Sequence, residues 1–238
     1  MTSSRLPLPK FISDDENKQQ PDDSSIVTSD GRVRSYPHVR GQWTTFIYSE
    51  VPCHSLIHLT DYIADYGDNI DLIDDIHVSL IRGHHALSFH QITPFISSLR
   101  DRLSNCQSFD VYLSTFKLFT NDEGTRSFVC LCEPKLQIDS TNCRNSRLVR
   151  DKIMKTLDEF KSAVKISTGD DERFISDNSE TDEFTFHTSL AWCSPESNES
   201  AKKLITQLDE LMDGYLKINI NTIKINTGNI CHTIDLKS

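Results

Sequence analysis

His77-Val78-Ser79-Leu80 and His187-Thr188-Ser189-Leu190 decide the reading of this chain. Each is a histidine, one spacer and a serine inside a short apolar run. The second follows the first after roughly a small domain's length of chain. Across 76–81, Ile76, Val78 and Leu80 alternate with His77, Ser79 and Ile81. That is the period of a β-strand, so His77 and Ser79 project from one face, a pleat apart. The segment 184–192 repeats the pattern, with Phe184, Phe186, Thr188 and Leu190 on one face and Thr185, His187 and Ser189 on the other. One His-x-Ser carries little information. Two gain weight because both fall on strands, both lie opposite the apolar face, and both hold the same place in a repeated unit.

Around these strands the pattern predicts a mixed chain. Residues 43–49 read as a strand, rich in aromatic and β-branched side chains. Leu56, Leu59, Ile63 and Tyr66 place a helix over 54–66, with Gly67 as its stop. A second helix spans 90–103, a third 146–164 with Leu148, Ile153, Leu157, Phe160 and Val164 inside, and a fourth 197–212. Strands are expected over 109–119, 126–132, 216–225 and 230–236, with turns at 121–124 and 226–229. Hairpins recur and regular βαβ crossovers do not. The fold class is therefore α+β, with antiparallel sheets flanked by helices. Each half runs helix, His-x-Ser strand, helix, hairpin, a weak internal duplication.

Composition bounds the function. A chain of 238 residues suits one sizeable domain. No apolar run approaches the ~18 residues of a membrane span, and the first ten residues lack a secretory core, so no membrane association is expected. Residues 1–30 are polar, acidic and poor in aliphatics, and are expected to be a disordered tail ahead of a single domain over 31–238. The seven cysteines are odd in number and show no C-x-x-C pair. Buried free thiols in a reducing compartment follow, and neither a disulfide framework nor a zinc ribbon. A formal charge of −10 argues against non-specific nucleic-acid binding, though not against a short RNA in a locally basic groove.

Histidine titrates near 6.5 and serves as general base or general acid at neutral pH. Breaking an RNA phosphodiester with its own 2′-hydroxyl needs one of each, and a serine hydroxyl beside each can hold the phosphate oxygens. No metal or other cofactor is required. The pattern alone is equally compatible with polar positions on a solvated strand face. Other candidates are weaker. Gly83-His84-His85 reads as a solvated turn, since a metal site needs three or four convergent ligands. Arg144, Arg147, Arg150 and Lys152 form a basic helix start, either an RNA guide or a solvated face. Arg34 and Arg40 beside Tyr36 and Trp43 mix charge with aromatics, as single-strand binding surfaces do, while core packing of both rings is the favoured reading.

Further stretches accompany the two motifs: Arg34-Ser35-Tyr36-Pro37-His38-Val39-Arg40-Gly41-Gln42-Trp43, His90-Gln91-Ile92-Thr93-Pro94-Phe95, Thr120-Asn121-Asp122-Glu123-Gly124-Thr125-Arg126-Ser127-Phe128, Leu190-Ala191-Trp192 and Thr227-Gly228-Asn229. With them the chain resembles the two-histidine (2H) phosphoesterase superfamily, and within it the U6 small nuclear RNA 3′-end phosphodiesterases. The resemblance runs from about Arg34 to Leu236. It implies a bilobed 2H-phosphoesterase-like fold, two pseudo-symmetric lobes about a central cleft. It also implies His77 and His187 as the catalytic pair, and Ser79 and Ser189 as the phosphate-holding hydroxyls. The implied activity is nuclear 3′→5′ exoribonucleolytic trimming of the uridine-rich U6 snRNA end by a monomer. The product would carry a 2′,3′-cyclic phosphate or the opened 3′-phosphate, with His187 favoured as base and His77 as acid. Hydrolysis of a preformed cyclic phosphate, and an RNA-binding module without turnover, are the alternatives. Two positions depart from the family: no tyrosine stands in 181–185 to stack on a base, and Ile230 replaces the usual Lys after Gly228-Asn229.

Overall fold

Gln42–Glu50 alternates buried Thr45, Ile47 and Ser49 with half-exposed Phe46 and Tyr48, and forms strand β1. It lies inside a nine-stranded antiparallel sheet and reaches the first His-x-Ser directly. The computed structural model describes residues 41–238 apart from 68, 82–84, 122–123, 135–139 and 168–184, and the described part forms one compact unit. The expected tail over 1–30, and Arg34, Tyr36 and Arg40, lie outside the described residues.

After β1 come helix α1 (Ile57–Tyr66), the short strands β2 (Ile70–Leu72), β3 (His77–Ser79) and β4 (His85–Ser88), and helix α2 (Phe89–Leu103). Strands β5 (Phe109–Leu113), β6 (Thr115–Thr120) and β7 (Ser127–Cys132) lead to α3 (Ser140–Ser167). The chain finishes with β8 (His187–Cys193), α4 (Asn198–Leu211), β9 (Leu216–Ile220), β10 (Thr222–Thr227) and β11 (Ile230–Asp235). The large sheet runs β11-β10-β1-β3-β8-β7-β6, with β2 also on β8 and β4 also on β1; β5 and β9 pair apart from it. The expected α+β class and its antiparallel pairing are what the structure has.

Helix faces follow the apolar spacing. Helix α4 buries Ala201, Leu204 and Leu208, and α2 buries Phe95, Ile96, Leu99 and Leu103. The start of α2 is fixed by Gln91, whose Oε1 accepts from the Ser88 backbone N–H at 2.9 Å while its Nε2 donates to the Phe160 carbonyl at 3.0 Å. Helix α3 buries Val149, Ile153 and Leu157, whereas Leu148, expected inside, is 46% exposed. Neighbouring helix positions differ by about 100°, and the buried stripe begins one residue later than its apolar pattern suggests.

Four local expectations are corrected. The segment 109–119 is two strands broken at Ser114, and 216–225 is two strands broken at Asn221. In each case one piece joins the large sheet and the other the β5–β9 pair. Ile81 does not share the His77 face; it lies beyond the end of β3 and is 4% exposed. His85 is not in a solvated turn. It sits in β4 opposite Thr45 and is 4% exposed, while Gly83 and His84 are outside the described residues.

The β10–β11 turn shows why a glycine is needed. Gly228 has φ +62°, donates its N–H to the Thr44 carbonyl at 3.0 Å, and an added Cβ would sit 2.4 Å from Trp43 Cδ1. Trp43 itself is held against Phe89, ring centroids 5.6 Å apart. Gly124 has a similar φ of +66° with nothing within 4 Å of an added Cβ. Gly228→Ala is therefore expected to cost about 2–4 kcal/mol, and Gly124→Ala only about 1 kcal/mol. Urea unfolding, read as a fall in midpoint at constant slope, checks the order.

Candidate active site

Strands β3 and β8 meet at one Cα pair, Val78 opposite Thr188. Thr188 is fully buried and its hydroxyl donates to the His77 carbonyl at 2.9 Å, stitching the two strands where their ladder is shortest. The antiparallel register set by this pair puts His77 across from Ser189 and Ser79 across from His187. Because Val78 and Thr188 point into the core, all four flanking side chains project from the opposite face. Directly opposed side chains lie about 5 Å apart at Cβ, and the two histidines, on a diagonal, about 7–8 Å. The structure thus brings together all four residues singled out from sequence, each half-buried.

Both imidazoles are held in the same way. His77 Nδ1 lies 2.7 Å from the Asp75 carbonyl, and His187 Nδ1 lies 3.3 Å from the Thr185 carbonyl, in each case two residues back. A carbonyl only accepts, so Nδ1 carries the proton and the neutral ring presents its lone pair at Nε2. The surroundings differ. His77 meets the edges of Phe46 and Tyr48, with ring centroids 5.0 and 5.2 Å away, and His187 packs on Phe119 at 5.3 Å. Burial lowers the His77 pKa below its ordinary 6.5; the Asp75 carbonyl bond and the Asp75 charge oppose this without cancelling it.

The floor around the four residues is formed by the next strands outward. Tyr48 is the cross-strand partner of Ser79, and Glu50 of His77; Cys130 is the partner of Ser189, and Cys132 of His187. Cys130 Sγ lies 3.1 Å from Ser189 Oγ. Burial pushes the Cys130 thiol up to about 12 and the Cys132 thiol up to about 11, so both are neutral at physiological pH. Beyond β1 and β7 stand Lys224 on β10, in an ion pair with Glu50, and Lys117 on β6. Phe46, Tyr48, Lys117 and the two thiols were not singled out from sequence. The alternation of Thr115-Phe116-Lys117-Leu118-Phe119 would have placed Lys117 and Phe119 on one face, once Ser114 is recognised as a break.

The other candidates lie elsewhere. Among the described residues, no three of His, Cys, Asp and Glu converge as metal ligands. Lys152 is engaged inside the fold, donating to the Arg102 carbonyl at 2.6 Å and to Cys106 Sγ at 3.2 Å. Arg144 and Arg147 are exposed on α3. Trp192 carries the Arg126 guanidinium over its ring at 4.1 Å. Of the segment before the second motif, 181–184 is outside the described residues, and Ile230 is 52% exposed at the start of β11.

A continuous antiparallel sheet with paired His-x-Ser strands at its centre fits the two-histidine phosphoesterase fold that the resemblance implies. The chain matches, over residues 6–235, the family HVSL, described as an uncharacterised conserved protein, and it belongs to that family. The family's label spells His77-Val78-Ser79-Leu80. U6 snRNA phosphodiesterase 1 of Mus musculus is 27% identical over 99% of this chain and 85% of its own. The Drosophila melanogaster protein of the same name is 27% identical over 87% of this chain and 75% of its own. Among solved structures, Kluyveromyces marxianus Usb1 superposes with a TM-score of 0.52 at 12% identity, covering 84% of this chain and all of that one, a likeness that establishes the fold.

The site geometry makes a prediction independent of any reaction. In an NMR titration His77 is expected to show the Nδ1–H tautomer and a midpoint below 6.5. Its neutral ring is favoured in the folded state, so its contribution to stability is intact above 6.5 and is lost as pH falls through the lowered value. His77→Gln is expected to remove that part of the pH dependence of unfolding.

Proposed function

We propose that this protein is a metal-independent 3′→5′ exoribonuclease that trims the uridine-rich 3′ end of U6 snRNA, acting as a monomer in the nucleus. The observation that carries the chemistry is the Val78–Thr188 pairing, which sets two imidazoles diagonally across one face with a serine opposite each. The relatives of like length that bear the name U6 snRNA phosphodiesterase 1 support the substrate.

In this reading His187 Nε2 takes the proton of the 2′-hydroxyl on the penultimate ribose. The 2′-oxygen attacks phosphorus, the P–O5′ bond breaks, and His77 gives its Nε2 proton to the departing 5′-oxygen. The products are an RNA ending in a 2′,3′-cyclic phosphate and a free nucleoside with a 5′-hydroxyl. Addition of water to the cyclic ester gives the opened 3′-phosphate. Ser79 and Ser189 donate to the non-bridging oxygens as charge builds on them. The imidazoles supply both proton transfers, so the step needs no metal.

A uridine-tailed RNA incubated in EDTA is expected to shorten from its 3′ end. His77→Gln and His187→Gln are each expected to slow this by about 10²–10⁴-fold with the fold intact, and a 2′-deoxy ribose at the scissile position is expected to block it. Full activity in either variant, or cleavage of the deoxy substrate, overturns the reading. The role assignment has its own test. With His77 as the acid, kcat/KM falls as pH rises through a midpoint below 6.5; with the roles exchanged, the same lowered value would instead govern the loss of activity on acidification.

A further inference from the structure

Moving outward from the β3–β8 pair, the site face carries the same row twice. On one side Ser79, Tyr48 and Lys224 are successive cross-strand partners on β3, β1 and β10. On the other, Ser189, Cys130 and Lys117 are successive partners on β8, β7 and β6. Each serine therefore has a lysine on its own row, two strands away. Two strand spacings are about 10 Å, a distance that the long lysine stem shortens.

Chemistry breaks this symmetry at one place. Beside His77, the partner on β1 is Glu50, and its carboxylate takes Lys224 in an ion pair. Beside His187, the partner on β7 is Cys132, a buried neutral thiol. Among the described residues no carboxylate pairs with Lys117. One flank of the site thus carries a neutralised cation next to the stacked rings of Phe46 and Tyr48, centroids 5.2 Å apart. The other carries Lys117, unpaired among the described residues and two positions from Phe119 on the His187 ring. In a chain of net charge −10, a half-buried lysine that no described carboxylate pairs, beside the proposed phosphate-binding face, is a place for an anion.

A linear RNA cleaved at its last linkage fixes which anion. The departing nucleoside bears no phosphate beyond the scissile one, so every additional phosphate lies on the 5′ side. We propose that Lys117 binds the phosphate immediately 5′ of the penultimate nucleotide, so that the RNA enters across β6 and β7 and its final nucleoside lies over the neutral β1–β10 flank. This rests on the RNA-cleaving reading above. It also places the penultimate ribose nearer His187 and the departing oxygen nearer His77.

The test compares two dinucleotides, UpU, which has only the scissile phosphate, and pUpU, which adds one phosphate on the 5′ side. Wild-type protein is expected to turn over both, with a lower KM for pUpU. Lys117→Ala is expected to raise the KM for pUpU by about 10-fold and to leave UpU within about 2-fold, with kcat unchanged for both. Lys117→Arg is expected to restore the difference, and Lys224→Ala to leave it in place. The dependence of log KM for pUpU on log salt is expected to lose about 0.7 of slope in Lys117→Ala. An equal effect of Lys117→Ala on both dinucleotides, or transfer of the pUpU effect to Lys224→Ala, overturns this inference alone. Failure of wild-type protein to cleave either dinucleotide, or the uridine-tailed RNA, sinks the RNA-cleaving reading and this inference with it.

Discussion

The site depends on the register at which β3 meets β8. A single Cα pair, Val78 with Thr188, joins them, and side chains alternate along both strands. A slip of one residue would turn a histidine and a serine into the core and bring a valine or a threonine out. What holds the register is burial on the far face: Val78, Leu80, Thr188 and Leu190 are all at most 1% exposed. The spacers of the two motifs then divide the labour. A buried hydroxyl must find an acceptor, and Thr188 finds the His77 carbonyl. Val78, on the other strand, has no hydroxyl to satisfy. Removal of the Thr188 hydroxyl would take a donor from the half-buried His77 carbonyl, at about 1 kcal/mol.

This division explains what was legible in the sequence. The alternation in 76–81 and in 184–192 placed His77, Ser79, His187 and Ser189 on strands and on the non-core face, and each of those placements rests on local sterics alone. The pairing of the two strands does not, and no periodicity within either strand encodes its partner. The breaks at Ser114 and Asn221 escaped for a related reason. Alternation continues through each of them, and what separates β5 from β6 and β9 from β10 is that β5 and β9 find one another, with Asn219 Nδ2 donating to Asp110 Oδ1 at 2.8 Å from 109 residues away in sequence. Both breaks serve one event, the exit of two strands from the large sheet to form a second one. His85 was obscured by Gly83 two positions before it, whose turn preference outweighed a four-residue strand.

The thiols of β7 were legible as buried but not as neighbours of the site. Their position there has a physical sense. Opposite Ser189 and His187 the sheet needs small side chains that carry no charge, because a carboxylate would repel the phosphate of the proposed reaction. Burial keeps Cys130 and Cys132 protonated far beyond physiological pH. Glu50, at the corresponding place beside His77, is an acid, and its charge is matched by Lys224. The two halves of the sheet thus reach a neutral surface beside each histidine by different routes, a paired ion on one side and desolvated sulfur on the other.

Sulfur also sets how Ser189 is held. Its hydroxyl rests 3.1 Å from Cys130 Sγ, a weak hydrogen-bond partner whichever of the two donates. A carbonyl or carboxylate in the same place would hold the proton more strongly and would have to be displaced before Ser189 could donate to a phosphate oxygen. With sulfur, the hydroxyl is readily released to a charged acceptor, whose hydrogen bonds are about twice as strong as neutral ones. Ser79 faces a different neighbour, Tyr48, whose phenol burial pushes above its ordinary value. The serines are therefore equivalent in sheet position and unequal in surroundings, as are the histidines, with His77 between two aromatic edges and His187 against one. The paired His-x-Ser strands supply the symmetric placement that the tetrahedral phosphate of the proposed reaction would bridge. The side chains one strand further out make its two ends different, as a reaction with one proton to remove and one to deliver requires.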